Sequence, residues 1–356
     1  MKLRCSPINS IFLCFSFFLL TACSNLGYFW SVSRGQMKLL KGKVSIEEAL
    51  EKYDFTEEQK TKLKLVSEIK SFSKQKLQMD IDEDIYSSYV QLDRPYVTYL
   101  LRVSLAYELK AYEWSFPFTG SVPYKGFFDK KKATKEAKTF PKENYDVYIR
   151  GVTAYSTLGW FEDSILSSML SYEERDFVVM IFHELAHTVL FFKDNVNFNE
   201  RFAEFVGRKA TLSFYLEKEG EKSENLQRML FDWEDQITFS SFMTQEYNNL
   251  NEWYKTNKGK VTPETKQKRI RKIQVRFLTE IHPKLKTENY NYFSNIELNN
   301  AKLLSYRSYN FNMEEFEKLF NSSKINKNIK AFIDYCFRFK DEENPEVALT
   351  QTVNKL

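Results

Sequence analysis

Cysteine is scarce in this chain of 356 residues, and what there is sits badly for cross-linking: Cys5, Cys14 and Cys23 crowd the start and only Cys336 lies far from them. A disulfide framework is thereby excluded. An excess of one charge is also lacking. The formal charge of +4 at pH 7 falls to +2 without Lys2 and Arg4, which leaves no electrostatic case for a nucleic-acid partner. The apolar run from Ile11 to Leu20, interrupted by Cys14 and Ser16, is too short to anchor the chain by crossing a bilayer. No internal repeat is found. Histidine is rarest of all, with three residues. What remains is a globular balance of 43% hydrophobic and 28% charged residues, with 32 Phe and 21 Tyr to build an aromatic core. The length allows one large domain or two small ones.

Lys2, Arg4 and the apolar run after them form a secretion signal over residues 1–22. It ends in Leu20, Thr21, Ala22 and Cys23, which resemble the box cut by the lipoprotein signal peptidase, so Cys23 is expected to become the diacylated first residue. Cleavage removes Cys5 and Cys14 and lipidation occupies Cys23. Cys336 is then a lone thiol inside the apolar stretch from Ala331 to Phe339, and no disulfide is expected within the mature chain. The expected location is the bacterial cell envelope, lipid-anchored, and Ser24 suits the periplasmic face of an outer membrane. Residues 23–356 read as a single unit, because the polar break from Asn257 to Pro263 is too short for a domain linker.

Thr56 with Gln59 has the form of a capping box that opens a helix through about Met79. Tyr96 to Leu109 and Tyr145 to Val152 read as strands of one small sheet, the second leading into a turn at Gly159. Phe116 to Pro123 reads as loop, and Lys130 to Lys138 as a solvated helix face. A second capping box at Ser171 to Glu174 is expected to start a helix through about Phe191. Helices follow over Asn199 to Glu219, closed by Gly220, then within Asn225 to Lys255 and Thr265 to Ile281. The expected fold is α+β: mostly helical, with a small sheet packed on the helix that contains His183.

His183, Glu184, Leu185, Ala186 and His187 form an H-E-x-x-H set. Residues four apart share a helix face, so the two imidazoles can grip one ion. The flanking runs Phe177 to Phe182 and Val189 to Phe192 are apolar nearly all round, so the helix must be buried. Burying two imidazoles and a carboxylate costs several kcal/mol unless they are paired or bind metal. Two histidines and a water leave zinc one ligand short, and Glu200 and Glu204, again four apart, offer one acid to bind and one to orient a histidine.

The segment from Phe198 to Ala203, with Asn199 before Glu200, resembles the N-E segment of gluzincin metallopeptidases. That resemblance implies Glu200 as third zinc ligand, Glu204 as the acid orienting a ligand histidine, and Glu184 as general base. More narrowly, the chain resembles a family of bacterial lipoproteins described as predicted aminopeptidases, over Gly27 to Lys41, Pro117 to Phe128, Ala154 to Asp163, the zinc motifs and Asn299 to Tyr309. It departs from the family at Ser115 and Ser121, where relatives carry cysteines, and at Ser164, where they carry proline. The paired loss implies a dispensable loop disulfide.

The expected function is zinc-dependent hydrolysis of peptide bonds, most specifically as an aminopeptidase. A zinc endopeptidase, a zinc-retaining but inactive envelope lipoprotein and a structural envelope protein stand as alternatives. Tyr309 or its rival Tyr155 is expected to donate to the oxyanion. Ala154 to Trp160 is expected to lay out the substrate as an edge strand, and Glu162 or Asp163 to pair with the substrate's α-ammonium. His282, followed by Pro283, is read as surface or structural.

Overall fold

The computed structural model describes residues 27–28, 30–116, 120–154, 163–193, 195–307 and 313–356. Within them the chain is α+β, mostly helical with small sheets. Helix α1 occupies residues 30–41 and seats on the body at Gly35, where an added Cβ would lie 2.3 Å from the ring of Phe128. Ser45 then caps the short helix α2, Ile46–Lys52, by accepting from the Glu48 amide at 3.0 Å. The capping box at Thr56 and Gln59 forms as expected and opens α3, Glu57–Gln75.

Two three-stranded sheets and a two-stranded one supply the β content of the described residues. Strand β1 (Lys43–Ser45) runs antiparallel to β2 (Ser88–Val90), which pairs in parallel with β8 (Ile165–Leu166). Strand β3 (Thr98–Leu105) lies between β6 (Lys125–Phe127) and β7 (Tyr145–Val152), all antiparallel, in a register from Thr98 opposite Val152 to Leu105 opposite Tyr145. The two strands read from the sequence therefore do share a sheet. The expected loop from Phe116 to Pro123 is corrected: Trp114–Phe116 (β4) and Gly120–Val122 (β5) pair as strands, with Ser115 opposite Ser121 and their hydroxyls 3.0 Å apart.

The β1–β2–β8 sheet shares its core with the helix of the H-E-x-x-H set, α5 (Glu174–Val189), through Tyr89, Val90, Ile165 and Leu166. The larger sheet packs instead on α4 (Lys130–Ala137), which buries Ala133 and Ala137 and leaves its lysines exposed. Helix α6, Val196–Glu219, ends at Gly220, whose φ of 79° lies in the left-handed region. It is followed by α7 (Glu224–Thr256) and α8 (Pro263–Arg276), which bury a second aromatic cluster around Phe239, Phe277 and Phe293. Helix α9 (Asn300–Arg307) is tied to the large sheet by Asn300, whose amide donates to the carbonyls of Leu105 and Ala106 at 3.0 Å while its oxygen accepts from Tyr254 at 2.9 Å. Helices α10 (Glu314–Asn321), α11 (Ile329–Cys336) and α12 (Pro345–Val353) complete the main core.

Lys62 of α3 is almost wholly buried and its ammonium donates to the carbonyls of Leu170 and Tyr172, locking α3 to the turn that feeds α5. That turn is a 3-10 turn, Met169–Ser171, and the expected capping box at Ser171 does not form. The Ser171 hydroxyl donates to Ser168 O instead and Glu173 takes the N-cap position without a side-chain cap. Cys336 is buried and unpaired, and burial pushes its thiol well above the usual range. No helix among the described residues is long and apolar enough to cross a membrane.

Candidate metal centre

Helix α5 is buried on nearly every side, with Phe177, Val178, Ile181, Phe182, Leu185 and Ala186 fully covered. The face left over carries His183 and His187 one turn apart. Helix α6 crosses it with Glu200 and Glu204, also one turn apart, facing those rings. His183 Nε2 and His187 Nε2 lie 3.1 Å from each other, and the Glu200 carboxylate lies 3.6 Å from the first and 3.7 Å from the second. One ligand atom from each of the three residues falls within 4.8 Å of the others. Zinc with ligands at about 2.05 Å requires them about 3.3 Å apart at the corners of a tetrahedron. The observed spacings fit that figure, so the three side chains can hold such an ion.

Behind this set, Glu204 Oε2 lies 3.5 Å from His183 Nδ1, and its other oxygen accepts from Arg208 Nε at 2.6 Å. A carboxylate on the far ring nitrogen fixes the tautomer and aim of an imidazole whose near nitrogen meets a cation. Partial burial works to raise the Glu204 carboxyl, yet Arg208 and His183 hold it down to about 2. Burial pulls His183 down, but hydrogen bonds to Glu200 and Glu204 and the charge of Glu184 carry it up to about 10. Burial and the neighbouring His183 keep His187 near 4. The cluster of carboxylates therefore draws positive charge strongly.

Glu184 is not one of the three grouped ligands: its Oε2 is buried without a hydrogen-bond partner among the described residues. Burial raises its carboxyl to about 7, and the charges of Glu200 and Asp163 add to the rise. Asp163 is itself buried rather than solvated, and its carbonyl accepts from the Tyr86 amide at 2.8 Å. Tyr86, unremarked in the sequence, is 3% exposed and holds a left-handed backbone at φ 54°. Burial and the charges of Glu184 and Asp163 keep its phenol well above the usual range, so it stays a neutral donor. No local signal marks Tyr86, because its place beside Asp163 depends on the pairing of β2 with β8.

Asn199 is a buried staple. Its side chain accepts from the Phe192 amide at 2.8 Å and donates to the carbonyls of Phe192 and Asn195 at 2.6 and 3.0 Å, fixing the link between the two helices. Helix α6 accordingly starts at Val196, ahead of the expected Asn199. Of the other expected site residues, Tyr155, Tyr309, Glu162 and Cys23 lie outside the described residues, as does 155–160 of the expected substrate strand. His282 stands apart and bonds Asn291 at 2.9 Å.

The helices come close at Gly207, where an added Cβ would meet the His183 backbone N and Cα at 3.0 and 3.1 Å and its Cβ at 3.2 Å. Backbone cannot swing aside, so Gly207→Ala is expected to part the helices slightly at the cost of about 1–3 kcal/mol. Metal affinity should fall with it. Titration calorimetry and thermal melting of the variant check both effects; unchanged affinity would mean that His183 tolerates the shift.

A family model described as "Putative aminopeptidase" matches residues 27–348, and the chain belongs to that family. No curated protein and no solved structure matches.

Proposed function

From that membership and the geometry of the cluster, we propose that the chain is a zinc-dependent peptidase that removes residues from the free N-terminus of peptides. The observation that carries this reading is the convergence of His183, His187 and Glu200 beside the Glu184 carboxylate, whose buried Oε2 has no partner among the described residues. His183, His187 and Glu200 would hold zinc, which when bound supplies Lewis-acid polarisation of the scissile carbonyl and a lowered pKa for water. Glu184 takes the proton of the attacking water and delivers it to the leaving amine. Glu204, steadied by Arg208, keeps His183 in the correct tautomer. Tyr309 or Tyr155 donates to the oxyanion, and Asp163 or Glu162 pairs with the substrate's α-ammonium. Asp163 gains support from its buried place near Glu184. Residues 23–356 act as one catalytic unit, held at the bacterial envelope by lipid on Cys23.

Matched peptides with free and acetylated N-termini test the reading, together with the metal content of the purified protein. Zinc retention with the free peptide cut orders of magnitude faster is the expected result. Equal cleavage of both makes it an endopeptidase, and zinc without turnover makes it a binding protein.

The acid limb of kcat/KM follows Glu184. A base raised to about 7 is protonated and idle below that pH, so activity rises as the pH climbs through this range. A divalent cation alongside lowers the value, which places the limb at or below about pH 7. A pH–rate profile with a limb well above 7 would point to another base.

A further inference from the structure

Helix α1 turns an unusual face outward. Trp30 is 74% exposed and Met37 52% exposed, and the same side of the helix carries Arg34, Lys38 and Lys41. Such a stripe pairs an aromatic ring suited to the lipid–water interface with basic residues around it. Beside it runs a groove in two connected parts of about 500 and 950 Å³ that share Asp93 and Arg94. The α1 cations line the first part. Lys130, Lys131 and Lys135 of α4, with Lys138 at its C-cap, line the second.

Among the described residues two carboxylates line this groove, and both are engaged. Asp93 pairs with Lys38 and Arg94, and Asp129 accepts from the Lys131 amide at the start of α4. Arg34, Lys41, Lys130, Lys131, Lys135 and Lys138 make no ion pair among the described residues. In a chain so close to neutral overall, this is a local concentration of unmatched positive charge.

We propose that α1 and α4 together form a docking face for a bilayer carrying anionic phosphate headgroups, which orients the catalytic unit on the membrane. The proposal rests on the lipid-anchor reading of Cys23, and the length of chain outside the structure supports it. Four residue steps separate Cys23 from Gly27, where the described chain begins, and they span at most about 14 Å. An anchored chain therefore brings α1 within that reach of the lipid, where basic residues gain from the surface potential over about 8 Å at physiological ionic strength. Residues 27–28 and α1 also fix the direction of approach. Tyr28 stacks on Phe116 with ring centroids 5.6 Å apart, and Lys132 of α4 donates to Ser31 at 2.7 Å, so α4 lies beside the start of α1, close to where the described chain begins. The lipid on Cys23 retains the protein, while this face restrains its tumbling.

The test uses the mature lipidated protein with Met37→Cys labelled by a polarity-sensitive fluorophore, Cys336 being buried. It is reconstituted in phosphatidylcholine vesicles with and without phosphatidylglycerol. A blue shift only with phosphatidylglycerol, reversed by salt and lost in a Lys130→Gln, Lys131→Gln, Lys135→Gln, Lys138→Gln variant, is the expected result. A water-like spectrum in both vesicles overturns the proposal. So does a shift that persists in the variant, since contact would then not depend on charge, or a shift produced by inorganic phosphate without vesicles, which marks a simple ion site. Mass spectrometry of the N-terminus judges the anchor separately. If Cys23 proves unmodified, the same labelled chain should still partition onto phosphatidylglycerol vesicles at least about tenfold better than its four-lysine variant; equal partition overturns docking as well.

Discussion

Glu184→Gln should keep the metal at the wild-type level and lose roughly 10²–10⁴-fold in kcat, with KM little changed. The substitution preserves shape and removes only the capacity to accept a proton. The structure also indicates that folding will not suffer. The Glu184 residue is part-buried with its Oε2 covered, and burial raises its carboxyl from 4.5 to about 7. A group whose folded pKa is raised binds its proton more tightly in the native state, so the ionised carboxylate weakens the fold as pH rises from 4.5 through 7. An uncharged amide at that place escapes the penalty. Metal analysis, thermal melting and steady-state kinetics of one purified variant separate the outcomes. Turnover within a few-fold of wild type would remove Glu184 from the mechanism, and loss of metal would make it a ligand.

Zinc should be lost from His183→Ala, His187→Ala and Glu200→Ala, whereas Glu204→Ala should retain it with affinity lowered by roughly 10–100-fold. The distinction follows from which ring nitrogens each acid faces. Glu200 addresses Nε2 of both histidines, at 3.6 and 3.7 Å, while Glu204 reaches only the opposite nitrogen of His183 and is already engaged by Arg208. Competition with a chromophoric chelator measures all four variants on one scale. If Glu200→Ala held zinc as tightly as wild type while Glu204→Ala lost it, the two acids would exchange roles.

Much of this centre was legible because helix periodicity is local. His183 and His187 must share a face, as must Glu200 and Glu204, and only their mutual approach needed the structure. Thr56 with Gln59 was equally readable, since a capping box closes within one turn. The Ser171 box failed because a serine hydroxyl can turn back as well as forward, and Ser171 bonds Ser168. Short strands with distant partners were out of reach: β2 and β8 have three and two residues and meet only through tertiary pairing. That pairing buries Asp163 and brings Tyr86 to it, so neither residue's setting was written in its neighbours. The pairing of β4 with β5 hid for a related reason, since Ser115 and Ser121 signal a loop until they are seen face to face.

The staple at Asn199 bears on how the protein would take up and release its ion. Where ligands are scattered along a floppy chain, binding metal and folding are one event, and chelators denature the protein. Here three hydrogen bonds hold the segment before Glu200 against Phe192 and Asn195, so the carboxylate is presented at high effective concentration to two imidazoles already set by a packed helix. Little chain entropy is left to lose on capture. Chelation should then behave as an on–off switch of activity, leaving a folded protein that recovers when zinc is returned.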